Sequence, residues 1–142
     1  MKVSGVQGGC LCGAVRYAYD GEFGGALGAV TVCFCAQCRK AQGLGAAVVP
    51  ASAGGFSLTA GAEALSEYES SSGKFRAFCR MCGSPLYSRR TARPDALRLR
   101  VGSLDAAPDG LAIDAQIFTA SAPEWTSFDS APRYPGSELG RS

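Results

Sequence analysis

Cys79-Arg80-Met81-Cys82-Gly83 carries the spacing and the trailing glycine of a zinc knuckle. One other stretch echoes it, Cys10-Leu11-Cys12-Gly13, near the start of the 142-residue chain. With most of the core-forming residues between them, the two stretches supply a complete tetrahedral set of four thiols: Cys10, Cys12, Cys79 and Cys82. A closed set of this kind is structural, and its binding energy is folding energy. Gly13 lets the backbone turn tightly around whatever the first pair holds.

Outward from the knuckles, the chain reads as short strands. Val15, Tyr17 and Tyr19 alternate with Ala14, Arg16 and Ala18, and Asp20-Gly21 ends that run in a turn. Further strands are predicted over 29–34, 46–49, 56–59, 64–69 and 74–79, each bounded by Gly, Pro, Ser or a knuckle, with Leu86-Tyr87 continuing past the second knuckle. Leu97, Leu99 and Val101 alternate with Arg98 and Arg100, the cleanest half-buried strand in the chain, and a last strand is predicted over 112–118. Arg39-Lys40-Ala41-Gln42 reads as one helical turn stopped by Gly43 and Gly45. Ser70-Ser71-Ser72-Gly73 reads as a hairpin turn, Ala107-Pro108-Asp109-Gly110 as another turn, and Pro123-Glu124-Trp125 as a capping turn. Residues 1–8 are expected to be loose and Gly136–Ser142 to fray. Short strands with no helical period sustained over three turns predict an all-β fold, and the length predicts one domain over 1–142.

Composition narrows the class of function. Lys+Arg 14 against Asp+Glu 12 gives a net charge of only +2, and if all seven cysteines ionise around two divalent ions the sum turns slightly negative. That is no phosphate magnet, so nucleic acid is not the expected partner. No apolar run approaches a membrane span, and Met1-Lys2-Val3-Ser4-Gly5 does not read as a signal peptide, which predicts a cytoplasmic chain with no membrane partner. Seven cysteines in a reducing compartment favour metal ligation over disulfides, and an odd number cannot pair completely. Histidine is absent, which removes the commonest acid-base group and the commonest alternative to sulfur on zinc.

Three cysteines remain after the knuckles, in the run Cys33-Phe34-Cys35-Ala36-Gln37-Cys38. Period two puts Cys33 and Cys35 on one strand face, and Cys38 returns from the turn that follows. A convergent trio lacks a fourth ligand, and zinc keeps such an open position when it does chemistry. Two other readings of the trio stay open: a second structural zinc completed by a carboxylate, and a metal-free thiol cluster prone to oxidation.

The runs GGCLCGAVRY (8–17), CFCAQCRKAQG (33–43), FRAFCRMCGSPL (75–86) and APEWTSFDSAPRY (122–134) together resemble the glutathione-dependent formaldehyde-activating enzyme family, including the order of all seven cysteines. The resemblance spans a core of about 8–134. It implies a β-tent fold of small coiled antiparallel sheets with two zinc ions, a structural one on Cys10, Cys12, Cys79 and Cys82 and a catalytic one on Cys33, Cys35 and Cys38. It also implies carbon–sulfur lyase activity, with formation of S-hydroxymethylglutathione from formaldehyde and glutathione as the namesake reaction. Members of the family often carry histidine where this chain has Phe34 and Gln116, so proton transfer is not carried over to either position.

A sulfur-rich site holds zinc at net negative charge, which suits an incoming thiol better than hydrolysis. Arg39 and Lys40 beside the trio, and Arg76 and Arg80 beside the second knuckle, read either as anchors for substrate carboxylates or as solvated charges. Tyr68, Phe75, Phe78 and Trp125 read first as core aromatics and second as pocket walls, while Glu67 and Glu124 are the nearest carboxylates to a general base. The competing reading is a zinc-stabilised binding or chaperone-like module without catalysis, and a zinc-ribbon nucleic-acid binder comes third. Exposed strand edges make a homodimer plausible.

Overall fold

The computed structural model describes residues 1–127, 129, 131, 132, 134 and 135. Ten strands and one helix follow in order: β1 (Lys2–Gly9), β2 (Arg16–Glu22), β3 (Val30–Cys33), α1 (Ala36–Gln42), β4 (Ala46–Ser52), β5 (Phe56–Ala60), β6 (Leu65–Ser71), β7 (Lys74–Cys79), β8 (Pro85–Arg90), β9 (Arg93–Arg100) and β10 (Ile113–Ile117). The fold is all-β, as the short strand runs predict. A three-stranded sheet has the order β1-β2-β5, and a seven-stranded sheet has the order β10-β3-β4-β9-β8-β7-β6. Every pairing is antiparallel except β10 with β3, where Ile117 stands beside Cys33.

The two sheets share one core. Val3, Val6, Tyr17 and Tyr19 of the small sheet belong to the same buried cluster as Val49, Ala51 and Leu99 of the large one. Its two largest polar members are satisfied: Tyr17 Oη lies 2.7 Å from Ser103 Oγ, while Tyr19 Oη donates to the Glu22 carbonyl and accepts from the Ser52 N–H. In the seven-stranded sheet the odd positions 49, 51 and 99 fill this core and Leu97 is buried as well, so the even positions 48, 50, 98 and 100 face the other way. That second face carries the chemistry described below.

Several expectations from the sequence change. Residues 1–8 are not loose, because Lys2–Gly9 is a strand paired along β2, with Val3 and Val6 buried and a register shift between them. The strand expected from Ala14 starts at Arg16, the residues before it being spent on the first knuckle. The expected single helical turn is a seven-residue helix. Cys33 and Cys35 do not share a strand face: β3 ends at Cys33, and Cys35 is the cap of α1, its thiol accepting from the Cys38 N–H at 3.4 Å. Tyr68 and Trp125 are exposed rather than core, since β6 is an outer strand and Trp125 sits in a terminal turn over Glu124–Thr126. The expected fraying of Gly136–Ser142 lies outside the described residues.

Candidate metal centres and the cavity beside them

Each knuckle is a backbone turn that aims sulfur inward. In the first, the Gly13 N–H donates to the Cys10 carbonyl, and the Val15 N–H donates to Cys10 Sγ at 3.2 Å. In the second, the Gly83 N–H donates to the Cys79 carbonyl at 2.7 Å. Gly13 and Gly83 sit at φ +80° and +79° with open space where a Cβ would go, so conformation and not crowding demands glycine. Ser84 ties the knuckles together: its hydroxyl accepts the Leu11 N–H at 2.9 Å and lies 3.2 Å from Cys82 Sγ.

The ligand atoms of Cys10, Cys12, Cys79 and Cys82 all lie within 4.8 Å of one another. Two of the separations are 3.5 Å and 3.9 Å, and every thiol is free. Zinc–sulfur bonds of about 2.3 Å in a tetrahedron put sulfurs about 3.8 Å apart, so the four residues fit such an ion. Cys82 is already pulled down to about 5, first by the Ser84 hydroxyl and then by backbone N–H groups, whereas its neighbour Cys12 is pushed up to about 11. Metal-free, the quartet holds part of the negative charge a cation needs, on the sulfur that Ser84 touches.

The trio also converges: the sulfurs of Cys33, Cys35 and Cys38 lie within 4.8 Å of one another, and no fourth cysteine, aspartate or glutamate joins them among the described residues. Cys33 and Cys38 are buried and Cys35 is half-buried. Burial pushes the Cys33 thiol up to about 12. Burial acts the same way on Cys35, but the Cys38 N–H and the neighbouring thiols outweigh it and bring Cys35 down. The group that approaches the trio is a cation. Arg76 places both terminal guanidinium nitrogens 3.7 Å from Cys38 Sγ, a third bond to Ser70 Oγ at 3.0 Å, and a fourth to Gln37 Oε1 at 3.4 Å. Three thiolates holding one divalent ion would carry net negative charge, and Arg76 is placed to compensate it in direct contact.

The trio opens on a cavity of about 340 Å³. Its lining includes Lys74, Arg76, Arg90, Arg98 and Arg100, with Ser71 and Ser88 between them and Ile117 and Phe118 at one side, and no carboxylate. Arg100 is buried, reaches Ser88 Oγ and the Arg98 carbonyl, and leaves its Nε without a partner. Burial first, and then the nearby Arg76, push Arg100 down to about 10. Lys74 falls below the usual lysine range for the same two reasons. Phe118 holds a left-handed backbone at φ +56°, the only described residue other than glycine with positive φ, and projects an exposed ring at the cavity mouth.

The seven predicted ligands are therefore brought together as four and three. Of the predicted anchors, Arg76 belongs to the trio and not to the knuckle it precedes. Arg80 does sit at the knuckle, donating to the Glu63 carbonyl. Arg39 and Lys40 are absent from the cavity lining. Phe34 is buried against Gly45 and Gln116 is exposed, and neither lines the cavity, so the two positions where the family often has histidine do not face it. Glu67 is held by Arg89 through two bonds of 2.8 and 2.6 Å, which pulls its carboxyl below the usual range and occupies it. Sequence reasoning missed Ser84, Lys74 and Arg90 as site residues. For Ser84 the signal was its place directly after Gly83; for the two cations it was the alternation 74, 76 and 88, 90 on paired strands.

No helix among the described residues is long and apolar enough to cross a membrane. Among curated proteins, none matches the chain. Among solved structures, the chain is similar to a Rhodobacter sphaeroides protein whose crystal structure was determined as a structural-genomics target. The two share 26% identity with a TM-score of 0.62, over 78% of this chain and 98% of the other. The sequence model of the glutathione-dependent formaldehyde-activating enzyme family matches residues 5–121, which includes both knuckles and the trio and stops short of the 122–134 motif. With all seven cysteines inside that match and gathered in space as four and three, the chain belongs to the glutathione-dependent formaldehyde-activating enzyme family.

Proposed function

We propose that this protein is a zinc-dependent carbon–sulfur lyase that joins glutathione or a similar thiol to a small aldehyde such as formaldehyde, and breaks the adduct in reverse. In the forward direction the S–H adds across the C=O bond: sulfur bonds to carbon, and the proton ends on the former carbonyl oxygen. The observation that supports this most is the difference in closure, since the quartet supplies four sulfurs and the trio supplies three beside an open cavity.

Cys33, Cys35 and Cys38 would hold a zinc ion, which would supply Lewis acidity that favours the thiolate form of an arriving thiol. Arg76 holds Cys38 by two N–H···S contacts and so fixes one wall of the site. Arg100 lines the cavity wall as a buried cation, a positive charge beside the aldehyde oxygen as it gains charge. Ser71 and Ser88 offer hydroxyls along the same wall. Cys10, Cys12, Cys79 and Cys82 hold a second zinc that staples the sheets. We read the two sheets as the β-tent arrangement, the chain as one zinc-binding domain, and its seven unpaired thiols as suited to the reducing cytoplasm.

Cobalt substitution tests this. Glutathione added to the cobalt protein is expected to change the thiolate charge-transfer bands, and Cys38→Ser is expected to abolish that response. Bands indifferent to glutathione would remove the trio from the substrate's path.

A further inference from the structure

The cavity beside the trio does not end there. A second cavity of about 280 Å³ continues it along the same sheet face, and Lys74, Ser88, Arg90 and Arg98 line both. The strand register orders the cations into rows. Arg100 is in register with Val48, Arg98 with Ser88, and Ser88 with Arg76; Lys74 and Arg90 pair two residues further along β7 and β8. At about 3.4 Å per residue, the Lys74–Arg90 row lies about 13 Å from the Arg100 row, at the end away from Cys33.

Lys74 and Arg90 are directly opposed across two antiparallel strands, an arrangement in which like charges repel. Among the described residues, neither they nor Arg98 takes part in a salt bridge, and no carboxylate lines either cavity. The two acids closest in sequence are engaged elsewhere, Glu69 accepting the Gly73 N–H and Asp95 pairing with Arg93. Glutathione brings two separate monoanionic carboxylates together with an ammonium group, and no carboxylate lines either cavity to receive that ammonium. A dianionic group at the end of an extended arm matches such a surface better, and guanidinium forks suit phosphate oxygens.

We propose that Lys74, Arg90 and Arg98 form a phosphate subsite, and that the preferred thiol carries a phosphate at the far end of an arm whose sulfur reaches the trio. This rests on the open-trio reading above and specifies which thiol that site takes. Arg76 and Arg100 serve the reacting end, and the distal three serve the phosphate.

The probes are 4′-phosphopantetheine, pantetheine and glutathione, titrated calorimetrically into the zinc-loaded protein. The phosphorylated thiol is expected to bind at least tenfold more tightly than either of the others, with the preference shrinking as salt rises. Arg90→Gln and Arg98→Gln, both at exposed positions, are each expected to cut the phosphopantetheine-to-pantetheine preference about tenfold, whereas Lys2→Gln, an equal loss of charge elsewhere, leaves it intact. Arg90→Gln should also raise the melting temperature of the ligand-free protein, because it removes the opposed pair. Equal affinity for pantetheine, tighter binding of glutathione, a preference that survives Arg90→Gln/Arg98→Gln, or tighter binding of a single-stranded oligonucleotide would each overturn the proposal. Cobalt bands separate the two levels of failure. If they respond to all three thiols alike, the open trio stands and the phosphate subsite falls; if they respond to none while phosphopantetheine still binds, the subsite stands and the metal route falls.

Discussion

The two cysteine clusters use one ligand type for opposite ends. The quartet draws its sulfurs from both ends of a long stretch of chain and ties backbone to backbone through Ser84 and two left-handed glycines. The trio draws all three from six consecutive residues, at a strand end, a helix cap and the first helical turn. Around the quartet the neighbouring polar contacts are a serine hydroxyl and N–H groups; around the trio they are one N–H group, the Arg76 guanidinium and open space. Closing a long loop stabilises a fold, whereas clustering ligands locally does little for it. Local clustering leaves the ion's surroundings to be set by side chains that arrive from other strands.

The sharpest way to break this comparison is to remove one sulfur from each cluster. Cys79→Ser, at a fully buried quartet position, should cost about 4 kcal/mol or more and lower Tm by about 15 °C in a thermal melt. Cys38→Ser should leave Tm within about 5 °C of the parent while lowering kcat/KM for the thiol–aldehyde reaction at least about a hundredfold. If both variants melted alike, the division between a structural and a working centre would fail. Challenge with a chelating dye should release the trio's ion first, at a temperature where circular dichroism is unchanged, with the quartet's ion following only on unfolding. Arg76→Met, which strips both N–H contacts from Cys38, should weaken thiol binding about tenfold and shift the cobalt charge-transfer bands, with little change in Tm. Glu67 and Arg89 belong to neither cluster, so Arg89→Met should cost only about 0.5 kcal/mol after solvent screening. Because Glu67 is held below the usual carboxylate range in the folded state, that contribution is present at neutral pH and is lost as pH falls through the lowered value. The gap between variant and parent should therefore close in acid.

Much of the site was legible because it is local. Cysteine spacing and the trailing glycines identify the knuckles, and the partition into four and three follows from counting. What the chain does with non-neighbours was harder to read. Arg76 stands three residues before Cys79, so it reads as part of that knuckle. Strand alternation sends Cys79 to the core and Arg76 to the cavity face, where Arg76 meets Cys38 of another segment. Arg98 is exposed, as the half-buried alternation with Leu97 and Leu99 predicts, but Arg100 is buried, and nothing in β9 alone says that Lys74 and Arg90 lie on the same face; only the register of β7, β8 and β9 does. β1 was missed because its glycines and serine are weak strand formers and a register shift breaks its alternation between Val3 and Val6. Phe34 and Gln116, the two positions from which proton transfer was withheld, do not line the cavity, a matter of orientation that the sequence does not show.

The contrast in ligand spacing has a counterpart during biosynthesis. A ribosome releases all three sulfurs of the trio while Cys79 and Cys82 are still unmade. The local centre can therefore meet metal on a nascent chain that has neither of its sheets complete, and Arg76 and Arg100 join it only afterwards. The stapling centre has no such option, and its last ligand arrives with the second knuckle. The order of synthesis thus completes the trio's set of ligands before the quartet's.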